Sequence, residues 1–169
     1  IIKTPGSESN VKEIYDKCWE IKKTRPECVI FNQFEEFGNS IWHYEITGSI
    51  IEEIFDRIKQ DNSRFGGYIS ATGSAGTIAA GDYLRTRYPA MRLTATEALQ
   101  CPTLLQLGFG GHRIEGIGDK HVPWIHNARN TDMVIAVDDE ATVDLIRLFN
   151  EPSGRAYLVD QGVPETFVA

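Results

Sequence analysis

The fold is decided by residues 67–96, whose sequence is GYISATGSAGTIAAGDYLRTRYPAMRLTAT. Strand-forming residues at 67–71 and 92–96 flank a helical segment at 78–88, and Pro89 follows that segment. A strand, a helix and a second strand in this order make a βαβ unit, in which the two strands run parallel. The sequence therefore predicts an α/β fold with a mostly parallel sheet and flanking helices.

Other elements are predicted on both sides of this unit. Apolar residues at helical spacing predict helices at 7–25, from Thr47-Gly48 through Ile58, and at 138–149. Short apolar runs predict strands at 28–31, 133–137 and 157–159. Residues 32–40 resemble a linker. Residues 99–124 are rich in Gly and Pro and have no clean periodicity, as expected of a long structured loop over an active cleft.

Composition excludes several classes of protein. The chain has 169 residues, 41% of them hydrophobic, and 17 basic against 24 acidic side chains give a net charge of −7. These values are typical of a globular domain with a real core. The one dense basic stretch, residues 22–25, is too short for a nucleic-acid surface. With no run of about 20 apolar residues and no signal peptide, we expect a cytoplasmic protein without a membrane partner.

Neither the cysteines nor the histidines indicate a metal site. Cys18, Cys28 and Cys101 lack CxxC spacing. His121 and His126 are five residues apart, which is not the spacing of a helical metal-binding pair. We therefore expect no metal.

The turn between the first strand and the helix of the βαβ unit is rich in glycine. In residues 72–77, Gly73 and Gly76 let backbone N–H groups converge at a helix N-terminus, and Ser74 and Thr77 add hydroxyls. Such a turn suits a phosphate group, or it is a tight turn that lets helix and strand pack closely. It lacks the residues of a P-loop and of the GxGxxG dinucleotide motif.

Four segments in order resemble one family, the fold-type II pyridoxal-phosphate enzymes of the cysteine synthase and cystathionine β-synthase group. The first three segments are Asn32-Gln33-Phe34 with Asn39, His43-Tyr44-Glu45-Ile46-Thr47-Gly48, and Gly73-Ser74-Ala75-Gly76-Thr77-Ile78. The fourth segment begins with residues 111–118 and extends to Val122-Pro123. The resemblance extends over about residues 7–149 and implies a Rossmann-like fold, similar to part of the tryptophan synthase β chain.

The resemblance also implies site residues. The loop that grips the phosphate of pyridoxal phosphate is matched by Gly73, Ser74, Ala75, Gly76 and Thr77. The segment that lines the far side of the cofactor is matched by Gly116, Ile117 and Gly118, and the glutamine that touches the substrate carboxylate by Gln33. Without the resemblance, these last two segments are a tight loop and a plain linker. The implied activity is β-elimination or β-replacement on an amino acid such as O-acetylserine.

The catalytic lysine of the family has no counterpart here. None of the seven lysines lies in the Ser-x-Lys-Asp-Arg-like context that binds the cofactor as a Schiff base, and the Ser/Thr-Gly-Asn-Thr loop and the late pyridine-binding serine are also absent. We therefore expect a fragment of an enzyme, with the catalytic residues outside this chain, that is inactive alone. Residues 1–31 would be a remnant of the small domain, 32–40 a linker and 41–169 an incomplete large domain. A homodimer is expected because uncovered apolar faces are costly.

Three departures leave the substrate open. Ala75 stands where the family has glycine, Asp119-Lys120-His121 places charges near the cleft, and residues 151–165 diverge. A distinct subfamily acting on another β-substituted amino acid is therefore an alternative to cysteine synthesis. The rival hypotheses are a non-catalytic Rossmann-like module that binds phosphate or nucleotide, and a degenerate paralogue used for protein contacts.

Overall fold

A computed structural model describes residues 1–5, 12–108, 110–114 and 116–168. Among them, the helices are α1 (Lys12–Thr24), α2 (Phe37–Trp42), α3 (Gly48–Ile58), α4 (Ala79–Arg87), α5 (Thr103–Gln106), α6 (Asp139–Asn150), α7 (Pro152–Asp160) and α8 (Glu165–Val168). A π-helical turn, His43–Thr47, joins α2 to α3, and a 3₁₀ turn lies at Ala128–Asn130. The strands are β1 (Gly67–Ala71), β2 (Arg92–Ala98) and β3 (Met133–Val137).

The three strands form one parallel sheet in the order β1-β2-β3. Gly67 is paired with Arg92 at the start of β1, and Thr94 is paired with Met133 at the start of β3. The predicted βαβ unit and the α/β fold are thus confirmed. Because parallel strands end at the same edge, the segments after β1, β2 and β3 meet there, and this edge is where such folds bind ligands.

The core lies between α4 and the centre of the sheet. Ile78, Leu84 and Leu93 are each no more than 1% exposed, and Ala95 is fully buried beside them. Gly81 brings helix and strand together: a Cβ on it would lie 2.3 Å from Cδ1 of Leu93. Burying a leucine side chain stabilises a fold by roughly 2 kcal/mol, so these contacts hold the edge of the sheet in place.

Helices α2 and α3 form one nearly continuous rod through the π-helical turn. The predicted helix from Thr47-Gly48 is confirmed, with α3 ending at Ile58. Gly48 faces the ring of Tyr83 on α4, since a Cβ there would lie 2.7 Å from Cδ1 of that ring. The rod begins at Phe37, so residues 37–40 of the predicted linker are helical.

Two strand predictions are wrong. Residues 28–31 form no strand, and no described strand lies beside them to supply ladder hydrogen bonds. Tyr157, Leu158 and Val159 lie in α7, where Pro152 at the first turn favours the helix. The other predicted strands and helices are confirmed within a few residues, although the predicted start of the first helix lies outside the described residues.

Asp132, just before β3, binds β2 through its side chain. Its contacts predict that the stability of the fold decreases at acid pH. Its carboxylate accepts the Leu93 amide at 2.7 Å and binds the guanidinium groups of Arg85 and Arg92. The amide and then Arg85 hold the pKa of Asp132 below its usual value. The lowered pKa stabilises the fold above the unfolded pKa of about 4, and this is lost as the pH falls through the folded pKa.

We therefore expect Asp132→Asn to lower the midpoint of thermal unfolding at pH 7, with the gap to the parent closing below about pH 4. Asp61→Asn, in an exposed turn, is the matched control and should change little. A gap that stays constant from pH 7 to pH 3 would contradict the assignment.

Candidate functional site

The glycine-rich turn and the segment 116–118 lie against each other at the carboxyl edge of the sheet. The Gly118 amide donates to the Thr72 carbonyl at 3.2 Å. A Cβ on Gly73 would lie 2.7 Å from the Gly116 carbonyl oxygen and 3.2 Å from Cα of Ile117, so the two backbones are in contact. Two segments about 40 residues apart in sequence, both predicted to line a cofactor, are therefore neighbours.

The amides of residues 74–78 form the donor surface of the turn. None of them donates a hydrogen bond to another of the described residues. They lie at the N-terminus of α4, where the helix dipole adds positive potential. The turn therefore offers several backbone donors to an anion, which fits the phosphate of a cofactor.

The two hydroxyls of the turn are used differently. Ser74 Oγ accepts a hydrogen bond from Asn39 Nδ2 at 3.0 Å, which leaves its own proton available to a ligand. Thr77 Oγ1 instead lies 2.8 Å from Ser70 Oγ and 3.4 Å from the Ala71 carbonyl, so it fastens the turn to β1. Of the two predicted hydroxyl ligands, Ser74 is the one placed to bind.

Asn39 links Gln33 to the turn. Its Nδ2 also donates to the Gln33 carbonyl at 2.9 Å, and a Cβ on Gly76 would lie 2.2 Å from its Oδ1. The Gln33 side chain is exposed. All the predicted site residues, 33, 73–77 and 116–118, are thus within one connected region.

Three residues of the turn and loop have a positive φ angle. Ala75 has φ +65° and is only 1% exposed, so an alanine occupies a left-handed position that glycine adopts freely. Gly116 and Gly118 have φ +79° and +80°, which explains why this segment contains glycine.

The charged segment Asp119-Lys120-His121, which departs from the family pattern, lies beside the turn. The Asp119 side chain is buried, with Oδ1 accepting the Lys120 amide at 2.6 Å. Burial raises the pKa of Asp119, whereas the hydrogen bond from that amide and the nearby His121 act to lower it. The His121 ring stacks on Tyr15 at 5.9 Å, and burial, followed by the charge of Asp119, raises the pKa of Tyr15. Helix α1 is thereby packed against the site.

Sequence reasoning missed Glu97. It is 2% exposed, and its two oxygens accept the amides of Leu104 and Leu105 at 2.8 and 2.9 Å, which caps α5 below the site. The signal was a carboxylate directly after the predicted end of β2, at the edge where functional side chains collect.

No protein-family model matches the chain. Individual relatives do: a region of 135 residues is 27% identical to cysteine synthase B of Campylobacter jejuni, covering 79% of this chain and 43% of that protein. A probable cysteine synthase of Bacillus subtilis is 27% identical over 83% of this chain and 44% of its own length.

Solved structures share the fold. A hydrogen sulfide-producing enzyme from Fusobacterium nucleatum has a TM-score of 0.71 at 26% identity, covering 85% of this chain and 47% of that one. The O-acetylserine-dependent cystathionine β-synthase of Helicobacter pylori has a TM-score of 0.72 at 26% identity, covering 97% and 55%.

The parallel sheet, the glycine-rich turn at its edge and these likenesses define the class of protein, the fold-type II pyridoxal-phosphate enzymes. Within that class, the chain is similar to cysteine synthases and to an O-acetylserine-dependent cystathionine β-synthase, at 26% to 27% identity. It spans about half the length of the curated relatives it matches, 43% and 48% in two of them. None of the helices in the described part of the chain is long and apolar enough to cross a membrane.

Proposed function

We propose that this chain supplies the phosphate-binding half of a pyridoxal-phosphate-dependent enzyme that carries out β-elimination or β-replacement on an amino acid such as O-acetylserine. The observation that carries the proposal is the contact between Gly73 and the segment 116–118, which places the free amides of residues 74–78 beside a second predicted cofactor-lining segment. The cysteine synthase relatives support the same activity.

In this proposal the cofactor supplies an electron sink that acidifies the α-proton of the amino acid. The amides of residues 74–78 and the Ser74 hydroxyl bind its phosphate, and the N-terminus of α4 stabilises the charge. The loop 116–118, which touches the turn at Gly73, would line the cofactor beside it, and Gln33 is the candidate contact for the substrate carboxylate. Asp119, whose pKa is raised by burial, lies at the same edge of the sheet.

Binding of the cofactor is testable with the chain as given. We expect saturable binding of pyridoxal phosphate, followed by its fluorescence, with competition by inorganic phosphate and little competition by AMP. Tighter binding of AMP than of pyridoxal phosphate would favour the non-catalytic nucleotide-binding module instead. Ser74→Ala should weaken binding of pyridoxal phosphate, whereas Ser49→Ala on α3 is the control.

We also propose that the chain alone is inactive, because none of its lysines has the sequence context of the family's cofactor-binding lysine. After incubation with pyridoxal phosphate and borohydride reduction, the intact mass should stay unchanged. The critical residue is Lys120, whose side chain is 14% exposed and lies 3.9 Å from Glu13. A stoichiometric adduct on Lys120, or turnover in a β-replacement assay, would refute this part.

The domain division stays part of the proposal, with 1–31 from a small domain, 32–40 a connection and 41–169 from a large domain. Its support is that 28–31 have no strand partner among the described residues, while α1 contacts the rest through Tyr15, which packs edge-on to Phe34 at 5.8 Å. The cytoplasmic location likewise stays a prediction.

A homodimer is the last element of the proposal. Along the α2–α3 rod, every fourth side chain from Trp42 to Ile58 is between 40% and 71% exposed, which leaves an apolar stripe in water. Light scattering should give twice the 19.0 kDa chain mass. The double variant Ile50→Glu, Ile54→Glu should give the monomer mass, and an unmodified chain that is monomeric at high concentration would refute the homodimer.

A further inference from the structure

Three residues that each have a buried polar atom without a partner line one small cavity beside the glycine-rich turn. The atoms are Thr72 Oγ1, Asp119 Oδ2 and His126 Nδ1, and none has a hydrogen-bond partner among the described residues. Thr72 is 5% and Asp119 3% exposed, so bulk water does not serve them. Buried polar groups in folded proteins are almost always paired, either with protein or with an ordered water.

Several of the other polar groups around the cavity are already engaged in hydrogen bonds. Both Glu97 oxygens accept the amides that begin α5, and the Thr103 hydroxyl donates to the Asp119 carbonyl. His126 Nε2 is 2.9 Å from the Thr131 hydroxyl, so Nδ1 is the nitrogen of that ring left without a partner among the described residues. His121 also lines the cavity, and its ring stacks on Tyr15. Among the described residues, the three atoms remain without a hydrogen-bond partner.

The chemistry of the three atoms complements a water molecule. Asp119 Oδ2 accepts when ionised, the Thr72 hydroxyl donates or accepts, and His126 Nδ1 does one or the other according to its tautomer. A water molecule both donates and accepts, and it makes two to four hydrogen bonds when buried.

The size of the cavity points to the same ligand. Its space holds about one water molecule and is too small for a substrate or a cofactor. Gly73, Leu104, Gly118 and Pro123 form much of the remaining wall.

We propose that this cavity binds one ordered water molecule that joins Asp119, Thr72 and His126. Thr72 begins the glycine-rich turn, and its carbonyl already accepts the Gly118 amide. The water gives the turn a second tie, through the Thr72 side chain, to the segment 118–121 and to His126. This site does not depend on the proposed function, since it needs no cofactor.

A crystal structure of the full chain at a resolution that shows waters is the first test. We expect a peak about 2.6–3.2 Å from Asp119 Oδ2 and from at least one of Thr72 Oγ1 and His126 Nδ1. An empty cavity, or an Asp119 carboxylate turned onto a protein donor, would overturn the proposal. An ammonium ion instead of water would also overturn it, and growing crystals with and without ammonium salts distinguishes the two.

A pair of variants tests the site in solution. Thr72→Ser keeps the hydroxyl that binds the water, whereas Thr72→Val keeps the shape and removes the hydroxyl. We expect Thr72→Val to lower the midpoint of thermal unfolding by about 3–6 °C more than Thr72→Ser. Equal midpoints would count against the water.

If Thr72→Val fails to fold, NMR of the unmodified chain decides. We expect a cross-peak between a long-lived water and the amide of Lys120. This amide donates a hydrogen bond to the Asp119 carboxylate. The absence of the cross-peak would overturn the proposal.

Discussion

Gly73→Ala is expected to destabilise the fold by about 2–3 kcal/mol and to weaken pyridoxal-phosphate binding more than about 10-fold. The new Cβ would lie 2.7 Å from the Gly116 carbonyl oxygen and 3.2 Å from Cα of Ile117. Because both neighbours are backbone, no side chain can rotate out of the way, so the turn and the segment 116–118 must separate. That separation also lengthens the hydrogen bond from the Gly118 amide to Thr72.

Gly111→Ala is the matched control for this variant. It lies in the loop before the same segment, but a Cβ there meets nothing within 4 Å, and its φ is not positive. We expect a change in the free energy of unfolding of no more than about 0.5 kcal/mol. Urea denaturation and a cofactor titration measure both effects. Wild-type binding by Gly73→Ala would show that the contact between the two segments is not required for the site.

Ala75→Val is expected to have the second large effect, a loss of about 2–4 kcal/mol. Ala75 has φ +65°, where a β-branched side chain clashes with its own backbone, and at 1% exposure it has no room for two further carbons. Ala90→Val, at an exposed position just before β2, controls for the general effect of valine.

Ala75→Gly separates strain from packing at the same position. Glycine relieves roughly 1 kcal/mol of left-handed strain, but it loses the burial of a methyl group, worth about 0.8 kcal/mol, and gains freedom in the unfolded chain. We expect a net change within about 1 kcal/mol in thermal denaturation. If Ala75→Val were as stable as Ala75→Gly, the turn would not hold the left-handed conformation.

The position of Ala75 bears on the departure from the glycine that the family resemblance implies for this turn. A glycine at this position would adopt the left-handed backbone without strain, and the alanine retains that backbone and fills the core beside Ile78. Its methyl therefore points into the core cluster instead of obstructing the amides of residues 74–78. The substitution is thus compatible with phosphate binding.

Local signals in the sequence were strong where neighbours in the chain set the structure. The strand-forming residues of β1, β2 and β3 and the apolar spacing of α6 predicted these elements, and Asp138 caps α6 by accepting the Glu140 amide at 2.9 Å. The two wrong strands, at 28–31 and 157–159, are short apolar runs. Such a run forms a strand only if another strand pairs with it, and pairing is a property of the whole fold.

The sequence by itself determined the parallel sheet, the glycine-rich turn at its carboxyl edge and the family that the chain resembles. Each of these follows from residues close together in the chain or from motifs in a fixed order. Tertiary structure alone decided that Gly73 touches the segment 116–118, that Asn39 joins Gln33 to Ser74, and that Thr72, Asp119 and His126 share a cavity. These contacts join residues from 6 to 54 positions apart, and no local propensity specifies them, because they arise only when the parallel strands bring their ends to one edge.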